Sequence, residues 1–204
     1  IAAGNRLTEA AAVYQMPSPV RNRLAHYELQ ADLGDWVEWA VSNGVDTSII
    51  SFIRYRPNLL YNFNPDDYAF PTPRSWSYVD KRLKLPNINE ESLFYGVAAL
   101  VGDGAAGEYI AFRQIYTSLP DIDDLIENPH TYKKDETPAV MYALTGALAA
   151  RACTEKMENI MKVTKKLPTE FQVITLKQSL LKDSSVLQHP SVDQWLSHNS
   201  TVIL

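Results

Sequence analysis

One cysteine, Cys153, stands among 204 residues, so no disulfide framework can hold this chain together. Such usage suits a reducing compartment, and a cytoplasmic protein is expected. Long apolar runs are missing as well. The longest, 139–150, is interrupted by Thr145 and Gly146. It is shorter than the roughly 17–25 residues of a membrane-spanning helix. Neither sign of charge dominates: 19 Lys and Arg against 24 Asp and Glu leave a formal −5, which gives no bulk attraction to nucleic acid. A local basic patch stays open, but only scattered lysines in the last helices would supply it. The four histidines, at 26, 130, 189 and 198, include no pair at the i, i+4 spacing of a helical zinc site, and no metal site is expected. There is no serine-triad motif, and no glycine precedes the Lys-Ser or Lys-Thr of a phosphate loop. The one Asp-Glu pair, Asp135-Glu136, follows Lys133-Lys134 and not a buried strand, so it is no strand-end magnesium site.

What is present is a foldable composition. The chain is 46% hydrophobic, with eleven tyrosines, six phenylalanines and four tryptophans, which excludes disorder as the main description and allows a core without staples. The opening Ile1-Ala2-Ala3-Gly4-Asn5 is an apolar run ending in an amide, the pattern of a buried parallel strand whose tip faces a site. It lacks the basic start of a signal peptide. A buried strand needs neighbours on both edges, so the chain is expected to be a piece of something longer. A helical turn at 17–23 and a second short strand at His26 to Leu29 follow.

From there the pattern turns helical. Asp32 caps a helix that stops at Gly44, Asp46 caps the next, and 58–70 is loop. Thr72 caps a helix with Pro73 at its first position, burying Trp76, Val79 and Leu83. Asn89 or Asn87 precedes a helix ending at Gly102, and another covers 108–116. The acidic, turn-rich 120–129 is read as a connection. Thr137-Pro138 opens one long helix to about Lys166, and Pro168 and Pro190 start the last two. The expected fold class is mainly α, with a two-strand remnant of an α/β core at the front. Three regions are expected: a core remnant over 1–30, a helical lid over 31–119 and a helical extension over 120–204.

Several features have ordinary readings. Gly102-Asp103-Gly104-Ala105-Ala106-Gly107 matches the G-x-G-x-x-G dinucleotide fingerprint, with Asp121 downstream, but the fingerprint needs a strand before it. The apolar residues 93, 94, 97, 100 and 101 have helical spacing, which favours a turn between helices. Cys153 fits a helical apolar stripe as a small core residue. Lys162, Lys165 and Lys166 fit a helix C-terminus.

Polar residues at element ends form the remaining constellation. Asn5 stands at a strand tip, and Arg21 and Arg23 follow Pro17-Ser18-Pro19. Arg74 lies in the first turn of the Pro73 helix, where a guanidinium joins free backbone N–H groups in an anion site. In order, Ala2-Ala3-Gly4-Asn5-Arg6, Met16-Pro17-Ser18-Pro19-Val20-Arg21-Asn22-Arg23-Leu24 and Phe70-Pro71-Thr72-Pro73-Arg74-Ser75-Trp76 resemble the second half of a AAA+ ATPase. The likeness is to the MoxR-like branch of bacteria and their phages, and it covers about residues 1–85.

That resemblance implies roles. Asn5 would be sensor 1, orienting the attacking water. Arg23, with Arg21 as second choice, would be the arginine finger presented to a neighbouring subunit. Arg74 would be sensor 2, which with Pro73 meets the nucleotide. Phosphoryl transfer is mostly positioning and charge stabilisation, which suits these residue types. ATP and magnesium are the cofactors of the complete protein, and a hexameric ring of full-length subunits and a von Willebrand A-type domain are its implied partners. Without a phosphate loop these residues alone are expected neither to bind ATP tightly nor to hydrolyse it. The alternative is a stand-alone helical interaction module using an exposed aromatic patch around Trp36, Trp39 and Tyr55.

Overall fold

Side-chain capping decides where most of the helices begin. A computed structural model describes residues 3–4, 16–86, 89–133 and 137–199. Within them lie α1 (Ser18–Arg21), α2 (Leu33–Ser42), α3 (Thr47–Tyr55), α4 (Pro73–Leu83), α5 (Glu90–Val101) and α6 (Asp103–Thr117). Then come α7 (Ile122–Glu127), α8 (Pro138–Ala149), α9 (Thr154–Thr164), α10 (Thr169–Lys182) and α11 (Pro190–His198). Asp32, Asp46, Thr72, Asn89 and Asp121 each accept a hydrogen bond from a first-turn backbone N–H, at α2, α3, α4, α5 and α7. The chain is mainly α, as its periodicity indicates.

No strand occurs among the described residues. The strand expected at His26 to Leu29 is not formed: residues 22–32 are non-helical and exposed, and no ladder joins 26–29 to another described segment. Alternating apolar residues make a strand only when a second backbone supplies the other half of each hydrogen bond. The first expected strand lies outside the described residues apart from Ala3 and Gly4.

Two hydrophobic cores organise the helices. The first gathers α2 to α6 around an aromatic knot in which the Phe52 ring lies 5.5 Å from Trp76, 5.4 Å from Tyr109 and 5.6 Å from Phe112. Trp76 is fully buried and its indole N–H donates to the Leu59 carbonyl at 2.7 Å, so its one polar atom is satisfied. The second core joins α7 to α11 around Leu148, Met157, Ile160 and Trp195. Helix α8 belongs to both: Ala139 and Ala143 face the first core, and Met141, Leu144 and Leu148 the second. It is apolar all round and packs between α3 and α10.

Two sequence expectations need correction here. The single long helix from 137 to 166 is two helices, α8 and α9, separated at 150–153. No breaker residue marks the break, which is tertiary in origin. Ala152 turns into the second core, and Arg151 reaches back to Asp123 at 2.9 Å. The acidic connection at 120–129 contains α7, whose Ile122, Leu125 and Ile126 are buried.

Candidate functional site

Two helix starts face each other across an open pocket of about 390 Å³. At the first, the Asp32 carboxylate accepts the Asp35 N–H at 2.9 Å and starts α2. At the second, Thr72 and Ser75 cap α4 reciprocally: Thr72 Oγ1 accepts the Ser75 N–H at 2.9 Å, and Ser75 Oγ accepts the Thr72 N–H at 2.7 Å. Pro73 occupies the first helical position and has no N–H to satisfy. Arg74 follows in the second, so the rigid cap fixes where its side chain leaves the helix.

The pocket is lined from α2 by Asp35, Trp36 and Trp39, and from α4 by Pro73, Arg74 and Ser77, with Gln30 to Asp32 closing one end. Arg74 is exposed, and its guanidinium makes no ion pair with another described residue. Trp39 is 45% exposed, whereas Trp36 is 6% exposed and turned into the core. This split follows the helical period. Trp36, Val37 and Ala40 form the buried stripe of α2, and Asp35 and Trp39, one turn apart, run along its solvent-side flank.

Of the residues picked out in the sequence, Pro73 and Arg74 meet in this pocket. Arg21 ends α1 and Arg23 lies in the turn after it; both are exposed and neither lines the pocket. The His26 ring Nε2 donates to the Arg21 carbonyl at 2.9 Å, which ties the end of α1 to the segment leading to α2. Asn5 lies outside the described residues. The aromatic patch expected from Trp36, Trp39 and Tyr55 reduces to Trp39. Tyr55 is packed on Phe112 at 5.7 Å and Tyr142 at 5.8 Å. Asp35 is a pocket residue that the sequence reading did not pick out, whereas Trp39 was expected to be exposed and is; their i, i+4 spacing beside the buried stripe was the available signal.

The glycine fingerprint has a different explanation. A helix, α5, precedes Gly102, so the strand–turn–helix context is absent. Gly102 has φ +82 and stands where a Cβ would come 2.8 Å from the Ala69 carbonyl oxygen. Both facts require glycine for the turn between α5 and α6. Gly104 and Gly107 lie within α6, and a Cβ on either would meet open space. Cys153 is not in a helical stripe: it precedes α9 as its partly exposed N-cap.

Elsewhere a paired carboxylate stands out on the surface. Lys156 Nζ donates to Asp123 Oδ1 at 2.7 Å and Arg151 Nε to Oδ2 at 2.9 Å. These bonds, Lys156 first, lower the Asp123 pKa to about 2. Tyr109 is the reverse case, its pKa raised by burial although Ser48 shares a hydrogen bond with it at 2.9 Å. Both groups hold helices together and lie outside the pocket. No group of three or more His, Cys, Asp or Glu among the described residues is placed to hold a metal ion. No helix among them is long and apolar enough to cross a membrane. No family profile, curated protein or solved structure matches the chain.

Proposed function

We propose that helices α2 to α6 are the nucleotide-responsive lid, and α7 to α11 a helical extension, of a ring-forming ATPase similar to the MoxR-like AAA+ branch. In this reading the chain is the C-terminal part of that machine and serves ATP hydrolysis coupled to protein remodelling. The observation that carries it is the Arg74 guanidinium, without an ion pair among the described residues and set by a rigid cap beside Pro73 in a pocket of ligand size. A helix N-terminus and a free guanidinium together favour a phosphate group. Arg74 would hold that phosphate, and its position on α4 would carry the nucleotide state into the first core through Trp76 and Val79, two and five residues on. Arg23, or Arg21, would be the finger reaching a neighbouring subunit's nucleotide. Their exposure on a segment packed against none of the core suits an outward role. Asn5 would orient water.

The nucleotide is ATP, which supplies the transferable phosphoryl group. Pocket residues Arg74 and Pro73 fit its anionic end. No step through magnesium is assigned to this chain. A hexameric ring is the expected assembly, with a von Willebrand A-type domain as a further partner.

A second reading, a protein-interaction module without nucleotide chemistry, draws on the exposed Trp39 and on Tyr27 and Leu29, which are 87% and 91% exposed. Competition separates the two. Tripolyphosphate should bind the chain weakly, in the millimolar range, and Arg74→Ala should abolish that binding. Equal binding by parent and variant contradicts the lid reading and leaves the interaction module.

A further inference from the structure

Resting on the nucleotide reading, the geometry points to a base-reading function for Asp35 and Trp39: the pocket takes an amino-bearing aromatic base stacked on Trp39, its amine donating to Asp35. Three observations converge. First, Trp39 offers an open indole face inside the pocket, and no aromatic ring of the described residues packs on it. A large apolar side chain left open at the wall of a cavity is the feature that needs explaining, since scattered exposed aliphatics do not. Stacking of a base on an indole needs only a π-face.

Second, Asp35 lies one turn before Trp39 on the same face of α2, and its side chain makes no ion pair with another described residue. A carboxylate only accepts hydrogen bonds, so a group at the edge of the stacked ring must donate. Asp32 adds a second carboxylate at the same end, although one of its oxygens already accepts the Asp35 N–H. Third, the charge in the pocket is divided. The acids lie at the α2 side and the guanidinium of Arg74 at the α4 side. Two acids would repel a phosphate laid against α2, which forces one orientation: anionic end on Arg74, base on α2. A ligand with a donor-bearing ring and an anionic tail satisfies both walls, and a purine nucleotide with an exocyclic amine is such a molecule. The assignment separates two tasks, phosphate detection by Arg74 and base selection by Asp35.

Tryptophan emission gives a direct test. Trp76 and Trp195 are buried outside the pocket and Trp36, at its wall, is only 6% exposed, so quenching by a ligand from solvent reports chiefly on Trp39. Adenosine and ATP at millimolar concentration should quench the emission, and most of the quenching should be lost in Trp39→Phe, whose fold is checked by circular dichroism. Inosine, which carries a carbonyl where adenosine has its amine, should bind roughly tenfold more weakly, the effect of one hydrogen bond to a charged group. Asp35→Ala should erase the difference between the two nucleosides. If tripolyphosphate binds through Arg74 while adenosine leaves the emission unchanged, the base assignment fails and the phosphate reading stands. If neither tripolyphosphate nor adenosine binds, both fail. Quenching undiminished in Trp39→Phe, or inosine and adenosine binding equally to the parent, also overturns the assignment.

Discussion

At the scale of single residues, two buried polar groups join elements: Ser48, which shares a hydrogen bond with Tyr109, and Asp80. Asp80 is the clearest case. It is 7% exposed, accepts the Asp46 N–H at 2.8 Å and pairs with Lys84 at 2.7 Å, while Lys84 also donates to the Gly44 carbonyl at 2.9 Å. One carboxylate thus closes the start of α3 onto α4. Asp80→Ala should cost about 1–3 kcal/mol in chemical denaturation, because it leaves a partly buried backbone N–H without an acceptor. Asp123 does the same on the surface for α7, the α8–α9 turn and α9. Its folded pKa lies below the ordinary carboxylate value, so its contribution is present above about pH 4 and is lost as pH falls toward about 2. Asp123→Asn should therefore flatten the acid limb of the stability curve in that window while leaving its shape near neutrality unchanged. A variant whose acid limb matches the parent's would show that the pair contributes nothing there.

Among the elements, the glycines separate backbone need from packing need. Gly102→Ala should destabilise, since both its positive φ and the Ala69 carbonyl oppose a Cβ. Gly104→Ala and Gly107→Ala should each stabilise by about 0.5–1 kcal/mol through helix propensity, measured by thermal unfolding. All three glycines would be intolerant if they cradled a pyrophosphate. Gly146 marks the close crossing of α8 over α3: a Cβ there falls on the Ser51 hydroxyl and 3.3 Å from Thr47 Cγ2. Gly146→Ala should lose about 1–3 kcal/mol to overpacking, and adding Ser51→Ala should restore most of it. Additive losses in the double variant would place the strain elsewhere.

Helix starts were readable from local chemistry, because Asp32, Asp46, Thr72 and Asn89 each satisfy an N–H only a few residues away. The α8–α9 break was not readable: Ala150-Arg151-Ala152-Cys153 has no local signal, and its turn is set by Asp123, almost thirty residues earlier. The short α7 was hidden by its acidic composition, although Asp121 and the apolar Ile122, Leu125 and Ile126 carried the pattern. In the pocket, Pro73 and Arg74 were legible from the cap, whereas the spacing of Trp36 and Trp39, three residues apart on neighbouring helix positions, did not separate the buried ring from the one at the solvent edge. Tyr55 is a core residue because α8 brings Tyr142 against it, a long-range contact.

For the whole molecule, α8 is the joint on which the two cores depend, and its small and apolar residues serve both. The helical bundle should accordingly unfold in one cooperative transition, with near-ultraviolet and far-ultraviolet circular dichroism coinciding. The lid reading adds a functional demand at this scale, that exposed arginines of one subunit and Arg74 of another act on one nucleotide. The most direct measurement is ATP turnover by a longer polypeptide in which a phosphate-loop half precedes these residues. Arg74→Ala and Arg23→Ala should each reduce turnover, and loss of the finger should cost about 10³–10⁵-fold. Mixing Arg23→Ala subunits with subunits disabled only in the phosphate loop should restore part of the activity, since each supplies what the other lacks. Turnover unchanged in Arg74→Ala, or no recovery on mixing, would contradict the assignment.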